Sequence, residues 1–136
     1  PARAVVLTGS GRAFSAGADL RRLVSEGEPY ARRFVPALDT LFRGVFEWGK
    51  PVVAAVNGHA IAGGAVLAAA ADVVLMADGP ARIGLPELVV GVPLPRVAVE
   101  VVRYAVGDRV ARTLITGAAT HLPADARAMG LVDEVL

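Results

Sequence analysis

Residues 51–76 read PVVAAVNGHAIAGGAVLAAAADVVLM, a stretch in which two apolar runs flank a block of small residues. Val52-Val53-Ala54-Ala55-Val56 has the pattern of a buried strand, and Asn57-Gly58 breaks it with a turn pair. Gly63-Gly64 then opens Ala65-Val66-Leu67-Ala68-Ala69-Ala70-Ala71, a helix whose side chains are so small that it must pack closely. Val73 to Met76 reads as the next strand. Strand, helix and strand in that order imply an α/β fold with a mainly parallel sheet.

The same alternation extends outward. Val5 to Thr8 is a short, β-branched run of the kind covered on both faces, ended by Gly9-Ser10-Gly11, and a Gly-punctuated loop follows to Gly17. Tyr30, Phe34, Leu38, Leu41, Val45 and Trp48 recur at spacings of three and four, with charged residues between them. That spacing predicts an amphipathic helix ended by Gly49 and Pro51. A short strand is expected around Arg82-Ile83, and helices over 97–105 and 109–115, split by Gly107-Asp108. A last short helix lies between Leu122-Pro123 and Gly130.

Composition bounds the function. The 136 residues are 54% hydrophobic, enough for one domain with a substantial core. Fourteen basic and thirteen acidic residues leave a net charge of +1 with no basic block, which argues against nucleic acid as the main partner. No apolar run reaches 18 residues and no signal-like start is present, so no membrane association is expected and a cytoplasmic location is. Cysteine is absent, so disulfides, thiolate metal sites and thiol nucleophiles are excluded. The chain opens without Met just ahead of a strand-like run and stops in another, Leu131 to Leu136; a fragment of a longer protein is expected.

Several chemistries fail on spacing. After Gly9 and Gly11, a dinucleotide fingerprint needs glycine where Phe14 stands, and no Gly-Lys-Ser/Thr occurs for a P-loop. A nucleophile elbow around Ser15 needs glycine where Ala13 stands. His59 and His121 read as structural or surface residues before they read as bases.

Two junctions and one carboxylate remain. Ala13 to Leu20 and Ala62-Gly63-Gly64-Ala65 both lead small residues into a helix, a pattern that serves close packing or presents backbone N–H groups to a ligand. Two such junctions after parallel strands can aim two N–H groups at one carbonyl oxygen, the requirement for turning a thioester into an enolate. Glu87 stands in Ile83-Gly84-Leu85-Pro86-Glu87-Leu88-Val89-Val90-Gly91-Val92, where every neighbour is apolar or glycine. It reads either as a first-turn helix residue satisfying local N–H groups or as a general base whose pKa an apolar pocket raises.

Together, Ala4 to Gly9, Ala13 to Leu20, Lys50-Pro51 through Asn57-Gly58, Gly63-Gly64 and Gly130-Leu131-Val132 resemble the enoyl-CoA hydratase/isomerase (crotonase) family over nearly all 136 residues. The resemblance implies a crotonase-like spiral of ββα units with mainly parallel sheets. Residues 1–136 would be its core domain, lacking N-terminal strands and C-terminal helices. It implies that the N–H groups of Ala18 and Gly63 form an oxyanion hole. Ala16, Asp19, Leu20 and Arg21 would line the CoA side, with Arg21 near phosphate, and Gly64 and Pro86 would adjoin the substrate. Glu87 matches the second of two glutamates in the family's hydratases, while the first falls on Val66. One retained acid resembles the 3,2-enoyl-CoA isomerases and implies conversion of 3-enoyl-CoA to 2-enoyl-CoA in fatty acid oxidation. The alternatives are an enoyl-CoA hydratase that positions water by other means and a non-catalytic CoA-binding or assembly subunit. No metal and no cofactor beyond the substrate's CoA are implied, and the family resemblance extends to homotrimers or paired trimers.

Overall fold

The computed structural model describes residues 2–136. Twelve elements follow one another as β1 (Val5–Thr8), β2 (Ala13–Ser15), α1 (Leu20–Phe46), β3 (Val52–Val56), β4 (His59–Ile61), α2 (Gly63–Ala69), β5 (Val73–Met76), β6 (Ile83–Gly84), α3 (Arg96–Gly117), β7 (Thr120–His121), α4 (Pro123–Ala128) and β8 (Glu134–Val135). Three β-β-α units in succession are followed by β7-α4-β8. Within each unit the first strand joins one sheet and the second joins another, so two four-stranded sheets grow side by side: β1-β3-β5-β8, parallel throughout, and β2-β4-β6-β7, parallel except for the β6–β7 pair.

The longer elements stand where apolar periodicity puts them. The second sheet departs from the sequence expectation: β2, β4 and β7 are two or three residues long, too short for any period to show. The first long helix also starts earlier, at Leu20 instead of Tyr30, because it is two helical segments meeting at Gly27 (φ 61°, ψ −149°). Gly107 (φ 77°) joins two segments of α3 in the same way. In β1 the side chains alternate between a partly covered face, with Val5 and Leu7, and an open one, where Val6 is 64% exposed, contrary to the expectation of two covered faces.

The core lies between the sheets and the helices. Phe42, Val56, Val66, Met76, Ile83, Leu85, Val102 and Leu114 fill it, with Ala54, Ala60, Ala65, Ala68, Ala98 and Ala111 at the closest approaches. Most of α2 is buried, which explains its run of alanines: larger side chains would hold it off its neighbours.

One device recurs at the entry to the parallel sheet. Val52 N–H donates to the Asp72 carboxylate (2.7 Å) while Asp72 N–H donates to the Val52 carbonyl (2.9 Å). Val74 and Asp133 repeat the exchange at 2.7 and 2.9 Å. Each aspartate thus registers one strand against the next. Among the described residues no helix is long and apolar enough to cross a membrane. Asp72→Ala leaves the Val52 N–H without its acceptor, and a loss of about 1–3 kcal/mol is expected, read as a lower denaturation midpoint at unchanged slope.

Candidate active site

Parallel pairing of β2 with β4, Ala13 opposite His59 and Ser15 opposite Ala60 with a register shift between them, sets two strand-to-helix junctions next to each other. The junction after β2 runs through Ala16 to Asp19 into α1, and the one after β4 passes through Ala62 into α2. Glycines allow them to meet. A Cβ on Gly17 would stand 2.9 Å from the Ile61 carbonyl oxygen and 3.2 Å from the Gly63 nitrogen, and Gly17 has φ +82° besides. A Cβ on Gly64 would stand 2.3 Å from the Ser15 carbonyl oxygen.

Ala62 carries the sharpest backbone constraint in the site, with φ 57° and ψ −125°, a conformation that costs an L-residue energy. It is pinned from both sides. Its N–H donates to the Gly84 carbonyl (2.9 Å) and its carbonyl accepts from Ala65 (2.9 Å) and Val66 (3.2 Å). This twist sets the direction of the next peptide's N–H, that of Gly63. Among the described residues, neither the Gly63 N–H nor the Ala18 N–H donates to any group of the chain. Both belong to residues that line one pocket of about 520 Å³.

Glu87 lines the same pocket and is 6% exposed. Its Oε2 has no hydrogen-bond partner. Burial raises its pKa above the ordinary glutamate value, partly offset by a bond from its own backbone N–H. The segment around it forms a series of turns, with Val90 and Val92 N–H groups donating to the Glu87 carbonyl, and the next helix starts only at Arg96. The reading of Glu87 as a first-turn helix residue therefore fails: it sits where no helix begins, and its Oε2 has no partner.

The other expected site residues separate into two groups. Ala16, Asp19, Leu20 and Pro86 line the pocket. Asp19 is also the N-cap of α1, its Oδ1 accepting from the N–H groups of Arg21 (3.0 Å) and Arg22 (3.2 Å). Arg21 is exposed and outside the pocket lining, and Gly64 is buried beneath Ser15. His59 Nδ1 accepts from the Arg82 N–H (3.1 Å), a structural role. Among the described residues no group of three or more His, Asp or Glu gathers to hold a metal ion. Phe34, Leu38, Phe42 and Leu94 form apolar pocket walls; the periodicity that includes Phe34 and Leu38 marks a buried face without saying whether protein or ligand covers it.

A family model for enoyl-CoA hydratase/isomerase matches residues 1–136. A putative enoyl-CoA hydratase of Thermus thermophilus is 46% identical over 136 residues, covering 98% of this chain and 53% of that protein. The 2,3-dehydroadipyl-CoA hydratase of Escherichia coli is 32% identical over 130 residues, covering 96% and 50%. Among solved structures, the enoyl-CoA hydratase EchA3 of Mycobacterium ulcerans matches with a TM-score of 0.90 at 32% identity, covering 98% of this chain and 58% of that one. The enoyl-CoA hydratase of Thermoplasma volcanium matches at 0.88 and 33%, covering 98% and 54%. The chain thus spans about half the length of the relatives it matches. The chain belongs to the enoyl-CoA hydratase/isomerase (crotonase) family.

Proposed function

We propose that the protein binds a 3-enoyl-CoA thioester, holds its carbonyl oxygen between the N–H groups of Ala18 and Gly63, and uses Glu87 as sole acid/base to form the conjugated 2-enoyl-CoA. The observation that carries this reading is the buried, unpartnered Oε2 of Glu87 in a pocket whose other carboxylate, Asp19, already caps a helix. Val66, fully buried in the pocket wall, stands where the resemblance puts the hydratases' other glutamate.

The chemistry needs no second acid/base. Glu87 removes a proton from C2, the electron pair moves through the double bond and the thioester carbonyl, and the negative charge collects on the oxygen between the two N–H donors. The protonated Glu87 then returns the proton at C4. Each such donor is typically worth about 3–4 kcal/mol in the transition state and a positioned base about 10²–10⁴-fold. Main-chain groups near Ala16 and Ala18 would meet the adenine of CoA, and Arg21, outside the pocket, would reach only a phosphate at its mouth. Assembly as a trimer or paired trimers, a cytoplasmic location and a role in fatty acid oxidation belong to the same proposal.

Hydration of a 2-enoyl-CoA is the second reading. The names of the relatives, nearly all hydratases, favour it over isomerisation. It requires a group other than a second glutamate to hold the attacking water. A CoA-binding subunit without turnover is the third. Following thioester absorbance with the intact protein separates them. Conjugation of a 3-enoyl-CoA is the expected result; hydration of a 2-enoyl-CoA without conjugation would overturn the isomerase reading in favour of the second.

Glu87→Gln is expected to lower kcat/KM by about 10²–10⁴-fold with CoA binding retained. Because Glu87 must be ionised to accept a proton and its pKa is raised, the acidic limb of the pH profile is expected above the ordinary 4.5. Stability follows with the opposite sense. Below the unfolded pKa both states are protonated and Glu87 contributes nothing. Above it the unfolded state ionises while the native state keeps its proton, so stability falls with rising pH up to the native pKa. The variant lacks that loss, so its Tm relative to the parent is expected to rise as the pH climbs above the ordinary glutamate value of 4.5.

A further inference from the structure

We infer that the acyl group this site takes is an uncharged, medium-length hydrocarbon chain, laid along the second segment of α1. The inference rests on the enolate reading for the position of the thioester carbonyl. Phe34, Leu38 and Phe42 stand at i, i+4 and i+8 on that segment and all line the pocket. Phe42 marks the carbonyl end, since its Cζ lies 3.5 Å from where a Cβ on Gly63 would be.

From Phe42 to Phe34 the helix rises about 12 Å. A zigzag chain with bonds near 1.5 Å advances about 1.3 Å per carbon, so this wall matches about eight to ten carbons. Leu94, on the stretch that follows Glu87, supplies apolar surface on another side of the pocket. Among the described residues, the ionisable side chains that line the pocket are Asp19 and Glu87, and no basic side chain does. A carboxylate at the far end of an acyl chain would therefore be desolvated without a cation. Dicarboxylic acyl groups are excluded on that ground.

Calorimetric titration of the intact protein with saturated acyl-CoAs, which undergo no isomerisation or hydration, tests this. One buried methylene is worth roughly fourfold, so octanoyl-CoA is expected to bind at least about tenfold more tightly than butyryl-CoA even on a partly open wall. Adipyl-CoA is expected to bind at least about tenfold more weakly than hexanoyl-CoA. Val35 is 48% exposed, lines the pocket and adjoins Phe34, so Val35→Arg places a cation at the distal end without crowding the core. That variant is expected to gain about fivefold or more for adipyl-CoA and to lose affinity for octanoyl-CoA. Affinity independent of chain length, or adipyl-CoA bound as well as hexanoyl-CoA, would overturn the inference. Selective binding with no enoyl-CoA turnover would overturn the enolate reading and uphold the chain selectivity. A folded protein that binds no acyl-CoA would overturn both.

Discussion

Everything in the site depends on how closely Gly17 approaches the Ile61–Gly63 backbone. Two strands of one sheet end side by side, and each chain turns at once into a helix; with any side chain at 17, Ile61 and Gly63 would have to move. The contact is steric and local, yet it fixes two unpaired N–H groups, on Ala18 and Gly63, at the rim of a single pocket. The strained twist at Ala62 is held by three backbone hydrogen bonds, so the surrounding sheet bears its cost. An oxyanion hole made of backbone donors needs this kind of rigidity, because donors that must first reorient lose their advantage at the moment charge develops.

Glu87 is placed on the opposite principle. In the proposed reaction the backbone donors would be preorganised for negative charge, whereas the carboxyl sits where negative charge is poorly solvated, buried and without a partner for Oε2. Such a group destabilises the fold whenever it is ionised, and a base that readily takes and returns a proton gains from that destabilisation. Stability and reactivity are therefore opposed at this residue, and the Asp72 and Asp133 exchanges at the strand entries are among the interactions that offset it.

Much of this was legible before the structure. Val52 to Val56 and Val73 to Met76 announce strands because consecutive β-branched and small residues leave no other use for them, and Glu87 stands out as an acid without polar neighbours. Ala13–Ser15, His59–Ile61 and Thr120–His121 were not legible, since two or three residues carry no period. Gly27 and Pro29 hid the start of α1, where a glycine between two helical segments mimics a boundary. That the two junctions could serve one oxygen was readable from their small residues, but the choice of the Ala18 and Gly63 N–H groups came from family resemblance. Asp19 combined two signals, a helix cap and a pocket wall, of which only the second was expected.

The central claim is that the N–H groups of Ala18 and Gly63 grip a thioester carbonyl oxygen. Isotope-edited infrared spectroscopy of an acyl-CoA labelled with ¹³C at C1, bound to the intact protein at saturation, reads that grip without turnover. Two donors withdraw electron density from the C=O bond, so the account predicts a carbonyl stretch shifted to lower frequency than in solution. A bound thioester whose carbonyl vibrates as it does in water would contradict it.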